Sequence, residues 1–139
     1  MSNREYKMKK QSKESSFLEL VDIFKKLRGK KGCVWDKKQT HETLMKYLFE
    51  EAKELEKAVL KKDAENMKEE LGDVLLQVVF HSQIAKENKL FDIYDVISSL
   101  NKKLVRRHPH VFGKSKAETE EDVVKLWKEI KKTEKRNKC

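Results

Sequence analysis

The sequence predicts an all-α protein, a bundle of about five helices, and three observations carry that expectation. Helix breakers are scarce: one Pro and four Gly stand among 139 residues that are 41% charged and 37% hydrophobic. Apolar residues recur at helical spacing in successive segments, each preceded by a residue able to cap a helix. No segment shows the period-two alternation of a half-buried strand. A chain of this length fits one hydrophobic core rather than two.

Residues 1–14 are polar, lysine-rich and aperiodic, and are expected to form a disordered basic tail. Ser16 and Glu19 make a capping-box pattern for a first helix, with Phe17, Leu20, Val21, Phe24 and Leu27 on one face. Gly29 ends it, and 29–39 reads as a loop containing Gly32, Trp35 and Asp36. Thr40 caps a second helix reaching about Lys61, whose apolar stripe is Leu44, Leu48, Ala52, Leu55 and Val59. Asp63 caps a third, running to about Asn88. Asp92 caps a fourth, with Ile93, Val96, Ile97, Leu100 and Leu104 on one face. It must stop near His108, because Pro109 disfavours helical backbone in the residue before it. After a loop at 110–118, Thr119 caps a last helix that turns Val123, Leu126, Trp127 and Ile130 inward. The folded domain is taken as 15–133, leaving 134–139 as a basic carboxy-terminal tail.

The third helix stands apart. From Val74 to Ala85 it reads VLLQVVFHSQIA, apolar on nearly every side, and such a helix needs protein around it on all faces. Four other helices of a small domain can barely supply that cover. A homodimer with a shared helical core is therefore expected.

The net charge of +9 suggests an anionic partner, but its distribution argues otherwise. Residues 1–14 hold five basic and two acidic groups, and residues 128–139 hold six and two; those ends carry +7, leaving only +2 for the stretch between. No dedicated nucleic-acid binding is expected from a charge that belongs mostly to the ends of the chain. No apolar run approaches the roughly 20 residues of a membrane span, and no signal-peptide pattern opens the chain. Cys33 and Cys139 form neither a disulfide framework nor a metal-ligand spacing, so a reducing cytoplasm is the expected location.

Four carboxylates carry the chemistry. With Leu44 at 0° and 100° per residue, Glu51 falls at about 340°, against the apolar face, and Glu54 at about 280°. On the third helix Glu70, Asp73 and Gln77 form a polar stripe leading into the apolar segment. A short connection at 61–64 makes the two helices antiparallel, which sets Glu51 and Glu54 opposite Glu70 and Asp73. Each pair is spaced i, i+3, on one side of its helix. Taken alone, a Glu pair of this kind more often marks a solvated face. Together, carboxylates so placed repel one another unless some protonate or a cation joins them. Oxygen donors of this type suit Mg²⁺, with Mn²⁺ as a substitute, and Mg²⁺ commonly completes its shell with waters and substrate phosphates. A di-iron centre is disfavoured, since no Glu has a His three residues on.

The strings EEAKE at 50–54 and EELGDVLLQVVFHSQIA at 69–85 resemble the MazG family of nucleoside triphosphate pyrophosphohydrolases. The resemblance extends through GCVWDKKQTHETL at 32–44, KLVRRHPHVFG at 103–113 and LWKEIK at 126–131. It implies a dimeric all-α fold that converts a nucleoside triphosphate to the monophosphate and pyrophosphate, a nucleotide-pool house-cleaning reaction. It further implies Mg²⁺ ligands at Glu51, Glu54, Glu70 and Asp73. Phosphate-contacting positions correspond to Lys103, Arg107 and Lys131, with Trp127 beside the substrate; Lys103 and Arg107 would also act in catalysis. Glu50 adjoins the ligands and is the candidate general base. The related loops usually read Cys-Pro-Trp-Asp, whereas Val34 replaces the proline here. Structural roles are expected for His81, His108 and His110. Two other classes remain open: a non-catalytic basic helical dimer binding nucleic acid or a protein partner, and a sensor that binds nucleotide without hydrolysing it.

Overall fold

Side chains that satisfy the first free backbone N–H groups decide where these helices begin. The computed structural model describes residues 12–138, which contain seven helices and no strand. They are α1 (Lys13–Leu27), α2 (Val34–Lys38), α3 (His41–Leu60), α4 (Ala64–Glu87), α5 (Ile93–Arg107), α6 (Pro109–Phe112) and α7 (Glu120–Asn137). Residues 1–11 of the expected tail, and Cys139, lie outside the described residues.

Five of the seven are the expected long helices; the short α2 lies inside the expected loop at 29–39, and the short α6 starts at Pro109 and runs into the expected loop at 110–118. Thr40, Asp63 and Thr119 cap α3, α4 and α7 as the sequence predicts. The cap of α1 is Ser12, not Ser16: its side chain accepts from the Ser15 N–H, so the helix opens one turn earlier. At the other end α7 continues to Asn137, through most of the segment 134–139 assigned to a tail. Val34 is the first residue of α2, a position that has no intrahelical N–H partner and accepts proline, and Cys33 before it is extended. The substitution of Val for Pro therefore leaves the turn intact.

The chain divides into two compact units, one ending at Ile93 and one beginning at Tyr94. Every buried apolar residue among those described belongs to the first: Phe24, Leu44, Ala58, Val79, Phe80, Ile84, Ala85 and Ile93. Phe80 is central. Its ring lies 5.3 Å from that of Phe24 and 6.5 Å, edge-on, from that of Trp35, and the Arg28 guanidinium stands over it at 5.6 Å. Burial of such a ring contributes roughly 2–3 kcal/mol. Arg28 also ties α1 to its neighbours, donating to Glu87 at 2.8 Å and to the carbonyls of Asp36 and Gln39. Gly32 is required in this loop, because any Cβ there would collide with the Leu27 carbonyl.

The helices α3 and α4 form the most extensive packing in the unit, and α1 lies against α4. The buried line on α3 is rotated from the expected stripe. Leu44 and Ala58 are fully buried and Leu48, Glu51 and Leu55 half-buried, while Ala52 is exposed and Val59 is 51% exposed. The apolar count placed the stripe; small Ala58 lets α4 approach on the Glu51 side, so Glu51 lies within the buried face rather than at its edge. On α4, Val79 and Phe80 are buried, but Leu71, Leu75 and Val78 are 51%, 41% and 39% exposed within this single chain. The α3–α4 pair is closed at its far end by His41 and His81, whose Nδ1 atoms are 2.8 Å apart with the rings stacked nearly parallel.

In the second unit α5 and α7 turn half-buried faces inward, Val96 and Ile97 on one and Val123, Leu126, Trp127 and Ile130 on the other. Leu100 and Leu104, expected to be inward, are 46% and 44% exposed, while Lys103 and Arg107 are half-buried.

Two consequences can be measured. Lys62 closes α3 with a φ of 54°, in the left-handed region. That conformation costs an L-residue about 1–2 kcal/mol, against about 0.5–1 kcal/mol for glycine's greater entropy when unfolded. Lys62→Gly should therefore raise stability in denaturant by roughly 0.5 kcal/mol, and a loss would contradict this account of the turn. The second concerns His81, whose pKa burial lowers below 6.5, with His41 adding to the effect. Between the lowered value and 6.5 the unfolded chain binds a proton that the fold rejects. Stability should be full above pH 6.5 and fall as pH drops below it. In His81→Gln that dependence should weaken, and an unchanged pH slope in denaturant titrations would refute the assignment.

Candidate metal centre and basic cluster

The metal candidates are built by the α3–α4 turn. Asp63 caps α4 by accepting from the Asn66 N–H, and the Asp63 N–H returns to the Ala58 carbonyl, so α3 reverses directly into α4. Glu51 and Asp73 lie equally far from Lys62 along the chain and meet at the same height of the antiparallel pair. One carboxylate oxygen from each of Glu51, Glu70 and Asp73 can be chosen so that all lie within 4.8 Å of one another, and all three residues are half-buried.

Their electrostatics show the strain of that gathering. Burial, then the Asp73 charge, then Glu70 raise the Glu51 pKa above the ordinary carboxylate value. Burial and then Asp73 raise that of Glu70 as well. One Glu70 oxygen, Oε2, is buried without a hydrogen-bond partner among the described residues. A cluster of hard oxygen donors with an orphaned, desolvated carboxylate oxygen fits a small divalent cation, which would supply the missing partner and relieve the repulsion. Glu54 stands outside the trio. It is exposed and pairs with Lys57 at 3.2 Å, though its charge still contributes to raising Glu51 and Glu70. Glu50 is exposed on α3 and is not part of the cluster.

The basic candidates occupy the second unit. Lys103 and Arg107 share the half-buried face of α5 at i, i+4, whereas Lys131 is exposed on α7. The Trp127 ring meets that of His108 edge-on at 5.4 Å, and its Nε1 is buried without a partner among the described residues. His108 hydrogen-bonds the Leu104 carbonyl through Nδ1 at 2.6 Å, closing α5 as a structural histidine does. Glu134 accepts from both Arg106, at 2.7 Å, and Arg107, at 3.0 Å. Sequence reasoning missed Glu134 by ending the domain at 133. The signal was present: Glu134 follows Ile130 by four residues and Trp127 by seven, so it continues the inward stripe of α7. Arg28 was missed too, because nothing local marks an arginine that reaches over a distant ring.

The family described as MazG nucleotide pyrophosphohydrolase domain matches residues 39–112, which contain the whole α3–α4 pair. A nucleoside triphosphate pyrophosphohydrolase/pyrophosphatase MazG of Thermotoga maritima is 57% identical over 122 residues, covering 88% of this chain and 46% of the relative. The nucleoside triphosphate pyrophosphohydrolase of Escherichia coli K12 is 42% identical over 121 residues, covering 86% and 46%. This chain thus spans about half the length of these curated relatives. The crystal structure of a mazG-related protein from Thermotoga maritima superposes with a TM-score of 0.69 at 31% identity, covering 83% of this chain and 98% of that one. The chain belongs to the MazG nucleotide pyrophosphohydrolase family.

Proposed function

We propose that the chain hydrolyses nucleoside triphosphates to the monophosphate and pyrophosphate, in a nucleotide-pool house-cleaning role that depends on Mg²⁺. The observation that carries the proposal is the cluster of Glu51, Glu70 and Asp73, lying wholly within the matched family segment and poor in positive charge of its own. Glu51, Glu70 and Asp73 would hold the cation, with Glu54 as a fourth carboxylate beside them. A cation held by these residues would supply neutralisation of charge on the triphosphate oxygens. Lys103, Arg107 and Lys131 supply N–H donors to phosphate oxygens, and Trp127 offers an aromatic surface and an N–H to the substrate. Water attacks the α-phosphorus, the bond from that phosphorus to the bridging oxygen breaks, and pyrophosphate leaves. The water proton passes to a carboxylate, for which Glu50 is the candidate.

A second copy of the chain would cover Leu71, Leu75 and Val78, which line one side of α4 at i, i+4 and i+7. An exposed apolar row on the helix that carries two ligands supports a homodimer. Sedimentation should give twice the mass of the 16.5 kDa chain; a monomer at micromolar concentration would reject that reading.

The activity is tested by measuring pyrophosphate release from a panel of nucleoside triphosphates. Chelating Mg²⁺ should abolish release, and Glu70→Ala or Asp73→Asn should lower kcat/KM by about 100-fold or more. Undiminished release by Glu70→Ala, or none from any nucleotide, would overturn the proposal. Magnesium-dependent nucleotide binding without turnover, seen by calorimetry, would make the chain a sensor instead.

A further inference from the structure

We infer that Glu134 is a positioning residue for phosphate binding, holding the Arg107 guanidinium in one orientation with donors left over for the substrate. This rests on the function proposed above, and in particular on Arg107 as a phosphate-binding group.

The geometry is that of a fork held along one edge. Arg107 donates from Nη2 to Glu134 Oε2 at 3.0 Å and from Nε to Oε1 at 3.4 Å. A guanidinium has five N–H donors. Glu134 takes one from Nε and one from Nη2, so the second Nη2 hydrogen and both hydrogens of Nη1 remain. Those three lie along the edges turned away from the carboxylate. Such an edge is what a phosphate accepts from in a bidentate pair. A freely rotating Arg107 would have to lose side-chain entropy when the substrate arrives; one already clamped has lost it on folding.

Charge is arranged to the same end. Arg106 donates to Glu134 Oε1 at 2.7 Å, so two guanidiniums share one carboxylate and the trio keeps a net +1. Arg107 is thereby oriented without being neutralised. The two arginines hold the Glu134 carboxyl at a pKa of about 2, with Arg107 the larger influence, so it stays ionised throughout the physiological range.

The placement of Glu134 is also costly for a purely structural residue. It occupies the inward position of α7 after Trp127 and Ile130, and only 16% of its side chain is exposed. An apolar residue there would join α7 to α5 without desolvating a carboxylate. The carboxylate does what an apolar residue cannot: it fixes the plane of a guanidinium.

The experiment compares wild type, Glu134→Gln, Glu134→Asp, Arg107→Ala and the Glu134→Gln/Arg107→Ala double variant. Pyrophosphate release is measured with Mg²⁺ well below each variant's melting temperature, which circular dichroism supplies. Glu134→Gln should lower kcat/KM by about 10-fold while remaining folded, and Glu134→Asp should recover part of the loss. With Arg107 already removed, Glu134→Gln should cost nothing further, since its effect acts through that arginine. A Glu134→Gln variant that melts lower but keeps wild-type kcat/KM would overturn the inference, as would losses that simply multiply in the double variant. If Arg107→Ala is as active as wild type, the inference fails while the carboxylate site stands. If the wild type releases no pyrophosphate, both the function and this inference fall.

Discussion

The antiparallel register of α3 on α4 is the constraint on which the first unit depends. A shift of one residue would move Glu51 by about 100° around its helix and out of reach of Asp73. Both ends of the pair are therefore fixed. At the turn, the left-handed Lys62 and the Asp63 cap set the starting point; at the open end, the Nδ1 atoms of His41 and His81 meet at 2.8 Å with their rings stacked. Between them the fully buried Leu44 and Ala58 bring the helix axes close. The carboxylate cluster is a consequence of that registration, not an independent feature of the surface.

Packing around Phe80 keeps the registration rigid. Phe24 comes from α1, Trp35 from α2 and Arg28 from the end of α1, and all converge on one ring of α4. The helix that carries Glu70 and Asp73 is thus anchored at its apolar half. Its polar half is free to be unfavourable. Core burial on one part of a helix can offset the repulsion of carboxylates on another, because both belong to one rigid rod.

Much of this was legible in the sequence, for reasons that differ by residue. Thr40, Asp63 and Thr119 were readable because capping is a local interaction, decided within three residues. The gathering of Glu51, Glu70 and Asp73 was readable because helix phase and a short turn nearly determine it. Ser12 was missed because Ser12, Ser15 and Ser16 offer competing caps, and backbone geometry selects among them. The phase of the α3 stripe was misjudged because counting treats Ala58 and Val59 as equals, while close helix approach rewards the smaller residue. Glu54 looked equivalent to Glu51 by spacing, yet it lies far enough around α3 to pair with Lys57 instead. Glu134 was harder to read because a carboxylate at an inward position interrupts the apolar pattern, although its spacing from Trp127 and Ile130 continues the inward stripe.

The two units carry opposite electrostatic imbalances. In the first, carboxylates outnumber any cation near them, and Glu51 and Glu70 are pushed toward holding protons. In the second, two arginines surround one carboxylate and drive its pKa down to about 2. Each cluster is incomplete in its own way: one lacks positive charge, the other retains it unspent. The complements are opposite: a cation for the carboxylates of the first unit, anionic oxygens for the guanidinium of the second. Each imbalance stands beside packing that does not require it: the acidic trio is half-buried, and Arg107 and Glu134 are half-buried next to the exposed Arg106. Apolar residues at either place would pack at less cost and would hold neither a cation nor an anion.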